Sequence, residues 1–182
     1  MKIFVVVGMP GSGKSFAADV IAKNFNGKVF RTGDVIRDEI KKRGLKYTPE
    51  NDAKIAHWFH TRGRERLIIK RTWDKIKKSR KKIIVIEGCR APEEIKLLEK
   101  YSKIKPIIIA TKTNFNVRVK RIIKRKRFGK KESKKYLKNR DKLELSHGLG
   151  KIIKMANYVI NNSKLTKRQT EKKLIKLIKG LL

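Results

Sequence analysis

The octapeptide Gly8-Met9-Pro10-Gly11-Ser12-Gly13-Lys14-Ser15 constrains this chain more than any other segment. It follows an apolar run, Lys2 to Val7, without a break and leads into a helical pattern from Ser15 to Phe25. The spacing is Gly-x4-Gly-Lys-Ser. The glycines let backbone N–H groups close around phosphate oxygens without Cβ clashes, and the following helix adds its positive N-terminal end. Gly8, Pro10, Gly11, Ser12, Gly13, Lys14 and Ser15 are therefore expected to hold ATP. Lys14 would reach the β- and γ-phosphates, and the Ser15 hydroxyl would ligate Mg²⁺.

Runs rich in Val and Ile recur at Lys82 to Ile86, Ile104 to Ala110 and Tyr158 to Asn161, with a weaker one at Lys28 to Arg31. Little polar alternation interrupts them, as in strands buried on both faces of a parallel sheet. Between them the spacing is helical, for example Ile55 and Phe59, then Ile69, Trp73 and Ile76. Thr48-Pro49-Glu50 and Ala91-Pro92-Glu93-Glu94 read as helix starts, with Pro in the first turn and acids after it. Strands alternating with helices predict an α/β layer structure. With no repeat and no Pro/Gly/Ser linker, the 182 residues are expected to form one domain.

Composition narrows the function classes. Met1 to Val7 runs into the glycine loop with no small-residue cleavage site, so it does not read as a leader. No apolar run reaches the roughly 18 residues a membrane helix needs. A lone cysteine, Cys89, excludes an internal disulfide framework and fits a reducing cytoplasm. It reads as a packing residue rather than a nucleophile. Lys and Arg number 51 against 16 Asp and Glu, a net charge of +35. Residues 61–82 hold 11 Lys and Arg, and residues 117–142 hold 14. Such a surplus attracts nucleotides and nucleic acid; a solvated surface is the alternative reading. Aromatics do not interleave with the basic residues as a nucleic-acid stacking platform requires.

Ile83-Ile84-Val85-Ile86-Glu87 is a buried strand ending in a carboxylate, placed to join the Mg²⁺ shell, and Arg90 follows closely. Arg118, Arg121 and Arg125, spaced by three and four, share a helix face, with Arg127 and Arg140 further on. Arginine suits bidentate phosphate contacts and the charge of a transferring phosphoryl group. His57 and His60 are three apart, but no acid or Cys at ligand spacing completes a metal site. His147, before Gly148, reads as a helix-end residue.

These features resemble the adenylate-kinase-like nucleotide kinases, and more closely the adenylate-kinase-related P-loop proteins of archaea. Arg31-Thr32-Gly33-Asp34-Val35-Ile36-Arg37 is similar to the Ser-Thr-Gly-Asp-x-x-Arg acceptor segment, with Arg31 replacing Ser. Glu87-Gly88-Cys89-Arg90 resembles the Asp-Gly-x-x-Arg element, with Glu for Asp and one residue fewer. Arg140-Asp141-x-x-Glu144 resembles the lid-exit segment. Ala156 to Asn162 resembles the last strand, whose following loop commonly lies near the donor base.

The resemblance implies a three-layer P-loop kinase fold with a five-stranded parallel sheet in the order 2-3-1-4-5. Its core would comprise 1–31, 82–117 and 148–182, with an acceptor-binding helical region at 32–81 and a short lid at 118–147. It implies transfer of the ATP γ-phosphate to a nucleoside monophosphate, AMP first. Thr32, Gly33, Asp34, Arg37 and Arg90 would bind the acceptor, while Lys14, Arg121, Arg125 and Arg140 would meet transition-state charge. A hydroxyl acceptor, as in dephospho-coenzyme A kinases, needs a base, for which Asp34 is the candidate. Asp34 reads equally as an acceptor contact or as the N-cap of a helix beginning near Val35. A nucleic-acid-associated ATPase remains a third reading.

Overall fold

The structure, a computed structural model, describes residues 1–124 and 130–182, with side chains throughout except at 130–132. Arg125 and Arg127 thus lie outside the described residues. In chain order the elements are β1 (Lys2–Gly8), α1 (Lys14–Asn24), β2 (Lys28–Arg31), α2 (Thr32–Lys42), α3 (Pro49–Phe59), α4 (Glu65–Lys77) and β3 (Ile83–Glu87). There follow α5 (Pro92–Ser102), β4 (Ile107–Lys112), α6 (Phe115–Lys124), α7 (Lys130–Ser146), α8 (Leu149–Lys154), β5 (Tyr158–Asn161) and α9 (Lys167–Lys179).

The five strands pair in the order β2-β3-β1-β4-β5, all parallel, as the sequence implied. Their Val and Ile side chains alternate between two covered faces. Ile3, Val5, Val7, Ile84, Ile86 and Ile108 pack against Ile69 and Ile76 of α4, Ile95 and Leu98 of α5, and Ile152 of α8. Phe4, Val6, Val85 and Ile109 pack against Ala17, Ala18 and Ile21 of α1 and Leu174 and Ile178 of α9. Burying each large aliphatic side chain contributes roughly 1.5–3 kcal/mol, which holds the layers to the sheet. Cys89 is buried on the first face, where burial pushes its thiol well above the ordinary range.

A third cluster lies apart from the sheet. Val35, Ile36 and Ile40 of α2 meet Ile55, Ala56 and Phe59 of α3 and Ile68 of α4. Charged pairs on its rim join α2 to α4: Glu39 accepts from Arg43 and Arg71, each at 2.8 Å, and Lys75 donates to Asp38 at 2.7 Å. Trp58 packs on this cluster with a guanidinium over its ring from each of Arg43 and Arg64, 4.4 Å and 4.6 Å from the centroid. Trp73 packs instead against the first sheet face.

Two local details differ from expectation. The fourth strand begins at Ile107 rather than Ile104, because Pro106 has no N–H and Ile104 is held in a turn by Ser102 Oγ. Helix α2 begins at Thr32, with extended Arg31 at the cap position, so Asp34 is not the N-cap. It lies in the first turn, where its charge meets the helix dipole. His147 directly follows the last residue of α7, as expected of a helix-end residue, and its ring meets those of His57 and His60. Thr48 does cap α3, accepting from Asn51 N at 3.1 Å. No helix among the described residues is long and apolar enough to cross a membrane.

Candidate functional site

Because all the strands run the same way, their C-terminal ends share one edge of the sheet, the position where ligands bind in such folds. Gly8 sits opposite Thr111, and Glu87 sits between Val6 and Arg31. The glycine loop crosses this edge. At Gly8, with φ of +154°, a Cβ would fall 2.4 Å from Thr111 Oγ1, so only glycine lets the loop lie this close.

Hydrogen bonds fix the loop from below. Ser12 Oγ bonds Thr111 Oγ1 at 2.7 Å, and Ser12 O accepts from Thr113 Oγ1 and Asn162 Nδ2, both at 2.9 Å. Arg121 donates to Asn162 Oδ1 at 3.0 Å and to Ser12 O at 3.3 Å. Arg118 forms a bidentate pair with Asp141, both bonds 2.8 Å, and also donates to Pro10 O at 3.0 Å. It therefore ties the loop to α7. A cavity of 390 Å³ opens beside the loop, with Phe16 and Leu165 as apolar walls and Arg121, Lys124, Lys167 and Asn162 at its polar edge.

On the other flank, Ser15 Oγ donates to Glu87 Oε1 at 2.7 Å, while Arg31 Nε holds Glu87 Oε2 at 3.0 Å. A hydroxyl beside a buried carboxylate is an oxygen donor set that fits a hard divalent cation such as Mg²⁺. Gly88 then turns at φ +104°, where a Cβ would lie 2.6 Å from Thr32 Oγ1. Burial lowers the Lys14 ammonium from its ordinary value, against the opposing pull of Glu144 and Glu87.

Glu144 is the hub of the charged side. It receives Arg90 Nε at 2.8 Å and Arg140 Nε at 3.0 Å, and Arg140 also reaches Asp52 at 3.3 Å. Burial works to raise the Glu144 carboxyl, but Arg90 and Arg140 outweigh it and hold it below its ordinary value. Glu94, fully buried, accepts from the backbone N–H groups of Arg90 and Ala91 and so fixes the loop carrying Arg90. Burial pushes Glu94 up to about 7.

The structure thus gathers Lys14, Glu87, Arg90 and Arg140 around one site, with Ser15 at its edge. Arg121 lies on the cavity side of the loop. Arg37 stands apart, exposed and bound to Asp34, in none of the ion pairs of the Glu144 cluster. Thr32 is buried under Gly88, its hydroxyl 3.5 Å from Glu87 O. Glu144, Asn162, Thr111 and Thr113 were not singled out as site residues. For the threonines and Asn162 the available signal was a polar residue at the C-terminal end of an apolar strand. The three histidines also converge, from α3 and from the end of α7. Among the described residues no group of three His, Cys, Asp or Glu is arranged to hold a metal ion.

Parallel sheet, glycine loop and Glu87-ended strand together define a P-loop protein with a kinase-like fold. Residues 7–144 match an AAA domain family. A UPF0200 protein from Hyperthermus butylicus is 34% identical over 160 residues, covering 88% of this chain and 84% of that protein. One from Pyrococcus horikoshii is 34% identical over 188 residues, covering 99% and 97%. The chain belongs to the UPF0200 family of archaeal P-loop proteins. Among solved structures it is similar in fold to a shikimate kinase from Acinetobacter baumannii in complex with shikimate. The TM-score is 0.54 at 18% identity, covering 99% of this chain and 94% of that one.

Proposed function

We propose that this protein binds Mg-ATP and transfers its γ-phosphate to a small anionic acceptor, AMP being the first candidate. The carrying observation is the Ser15–Glu87 pair beside Lys14, facing two arginines that Glu144 draws together. Lys14 would neutralise the β- and γ-phosphates, with Ser15 and Glu87 holding the metal. Bound Mg²⁺ would supply charge neutralisation at the phosphates. Arg140 would meet charge on the transferring group and Arg90 would grip the acceptor. The cavity between Phe16 and Leu165 would take the donor base, with Arg121 at its edge. Residues 32–81 would then be the acceptor-binding region and 118–147 the lid, within one domain lying in the cytoplasm.

An anionic acceptor is favoured because Asp34 is committed to Arg37. A hydroxyl acceptor needs a base, whereas a monophosphate oxygen is already an anion. The fold likeness to a shikimate kinase keeps the hydroxyl reading in the test.

Chromatographic product analysis tests the proposal. Purified protein receives ATP, Mg²⁺ and, one at a time, AMP, other monophosphates, dephospho-coenzyme A and shikimate, with Lys14→Ala as the blank. ADP formed from both ATP and AMP, and lost in the blank, is the expected result. A phosphorylated hydroxyl acceptor would make Asp34 the base. If every acceptor stays unmodified, the kinase reading fails, and the +35 surface becomes the place to look for a nucleic-acid partner.

A further inference from the structure

Away from the Phe16–Leu165 cavity, a group of buried polar atoms has no hydrogen-bond partner among the described residues. His57 and His60 approach His147 with ring centroids 5.8 Å and 4.6 Å from its own. His60 Nδ1, both ring nitrogens of His147 and Nη1 of Arg90 are all buried without a partner. Native interiors rarely leave such groups unpaired, and several in one place point to a polar occupant. Arg90 is the strongest charged neighbour of both rings. Arg90, Arg140 and Glu144 also act electrostatically on Lys14, so the histidines lie one side chain away from the loop lysine.

We propose that Arg90, His60 and His147 form the seat for an anionic group, a phosphate in the first instance, on the phosphoryl acceptor. The proposal rests on the kinase reading and adds to it the residues that select the acceptor. Arg90 presents its free Nη1, and each neutral imidazole presents one ring N–H. Together they form a cationic fork on which a dianion is held and a neutral sugar hydroxyl is not. The groups facing the rings are Arg90 from the β3–α5 loop, Arg140 and Glu144 from α7, and His57 from α3. Glu93 and Lys151 flank the open cavity beside His147.

In the free protein, burial and then Arg90 push His60 down to about 2 and His147 to about 4, so both rings are neutral at pH 7. An anion placed between the rings and Arg90 cancels that repulsion.

The chain has only three histidines, so imidazole NMR reads the site directly. The full chain, loaded with Mg-ADP to fill the loop, is titrated with inorganic phosphate and with AMP at pH 7. We expect the His60 and His147 ring signals to shift to saturation, with those of His57 moving less. His60→Gln and His147→Gln should each weaken phosphate and AMP binding about tenfold while leaving Mg-ADP affinity unchanged. Rings that stay unshifted at saturating phosphate and AMP overturn the seat, whether or not AMP becomes phosphorylated. Rings that respond while no acceptor is phosphorylated uphold the seat and sink the kinase reading alone.

Discussion

The two sides of the phosphate loop are held by different chemistry. Beneath the loop, Ser12, Thr111, Thr113 and Asn162 form short neutral hydrogen bonds that complete one another. Opposite them, Arg90 and Arg140 share Glu144, one on each carboxylate oxygen, while His60 and His147 carry unpaired nitrogens. Satisfied bonds set a position without any ligand, and the one charged pair on this side, Arg118 with Asp141, is already complete. A buried cluster that keeps unpaired polar atoms is completed only when a ligand arrives. The loop side is thus organised before any ligand binds, and the charged side is organised by its ligand.

The sharpest way to break this comparison is Glu144→Gln. It leaves two largely buried guanidinia without their shared counter-charge, and should cost about 3–5 kcal/mol in denaturant unfolding. If the loss is under 1 kcal/mol, the cluster is wetter than described. Lys14→Ala should lower phosphoryl transfer about 10²–10³-fold. Its ligand-free unfolding midpoint should hold or rise, because burial disfavours the Lys14 ammonium.

A pH series comes next. The unfolded chain protonates histidine near 6.5, and the folded chain protonates His147 only near 4 and His60 only near 2. As pH falls below 6.5 the unfolded state takes up protons first, so stability is lost towards pH 4. Glu94 works in the opposite sense. Folding raises it to about 7, so its contribution is present below 4.5 and is lost as pH rises towards 7. Comparing wild type with His60→Gln at pH 7.5 and pH 5 isolates the His60 part, about 1–2 kcal/mol by urea unfolding.

On the neutral side, Asn162→Ala should cost about 1–2 kcal/mol. It should raise the KM for ATP and leave the acceptor KM unchanged. An equal rise in both would merge the two sides into one unit. Asp38→Asn removes an exposed pair with Lys75 and should change stability by less than about 1 kcal/mol, the scale against which the others are read.

The strands and the loop were legible because they rest on local signals, the unbroken Val and Ile runs and eight consecutive residues that form a cradle by themselves, whereas the strand order came with the family resemblance. The charged side was only partly legible. Arg90 and Arg140 stand out in the sequence, but Glu144 becomes their common partner only when α7 crosses the loop after β3. The same crossing brings His147 to His57 and His60, a convergence that helical spacing within one segment does not encode. Asp34 misled for a related reason. Its residue type fits a cap, but the register β2 shares with β3 carries the chain into helix at Thr32, three residues before Val35.

The Trp58 sandwich has a practical consequence. Arg43 reaches its ring from the end of α2, and Arg64 from beyond α3. An indole between two fixed cations sits in a strong local field, so its emission wavelength is sensitive to either guanidinium moving. Trp73, packed under the sheet, supplies a steady background. Removing it with Trp73→Phe would turn the chain into its own fluorescent gauge of how α2 and α3 shift when an acceptor arrives, with no dye attached.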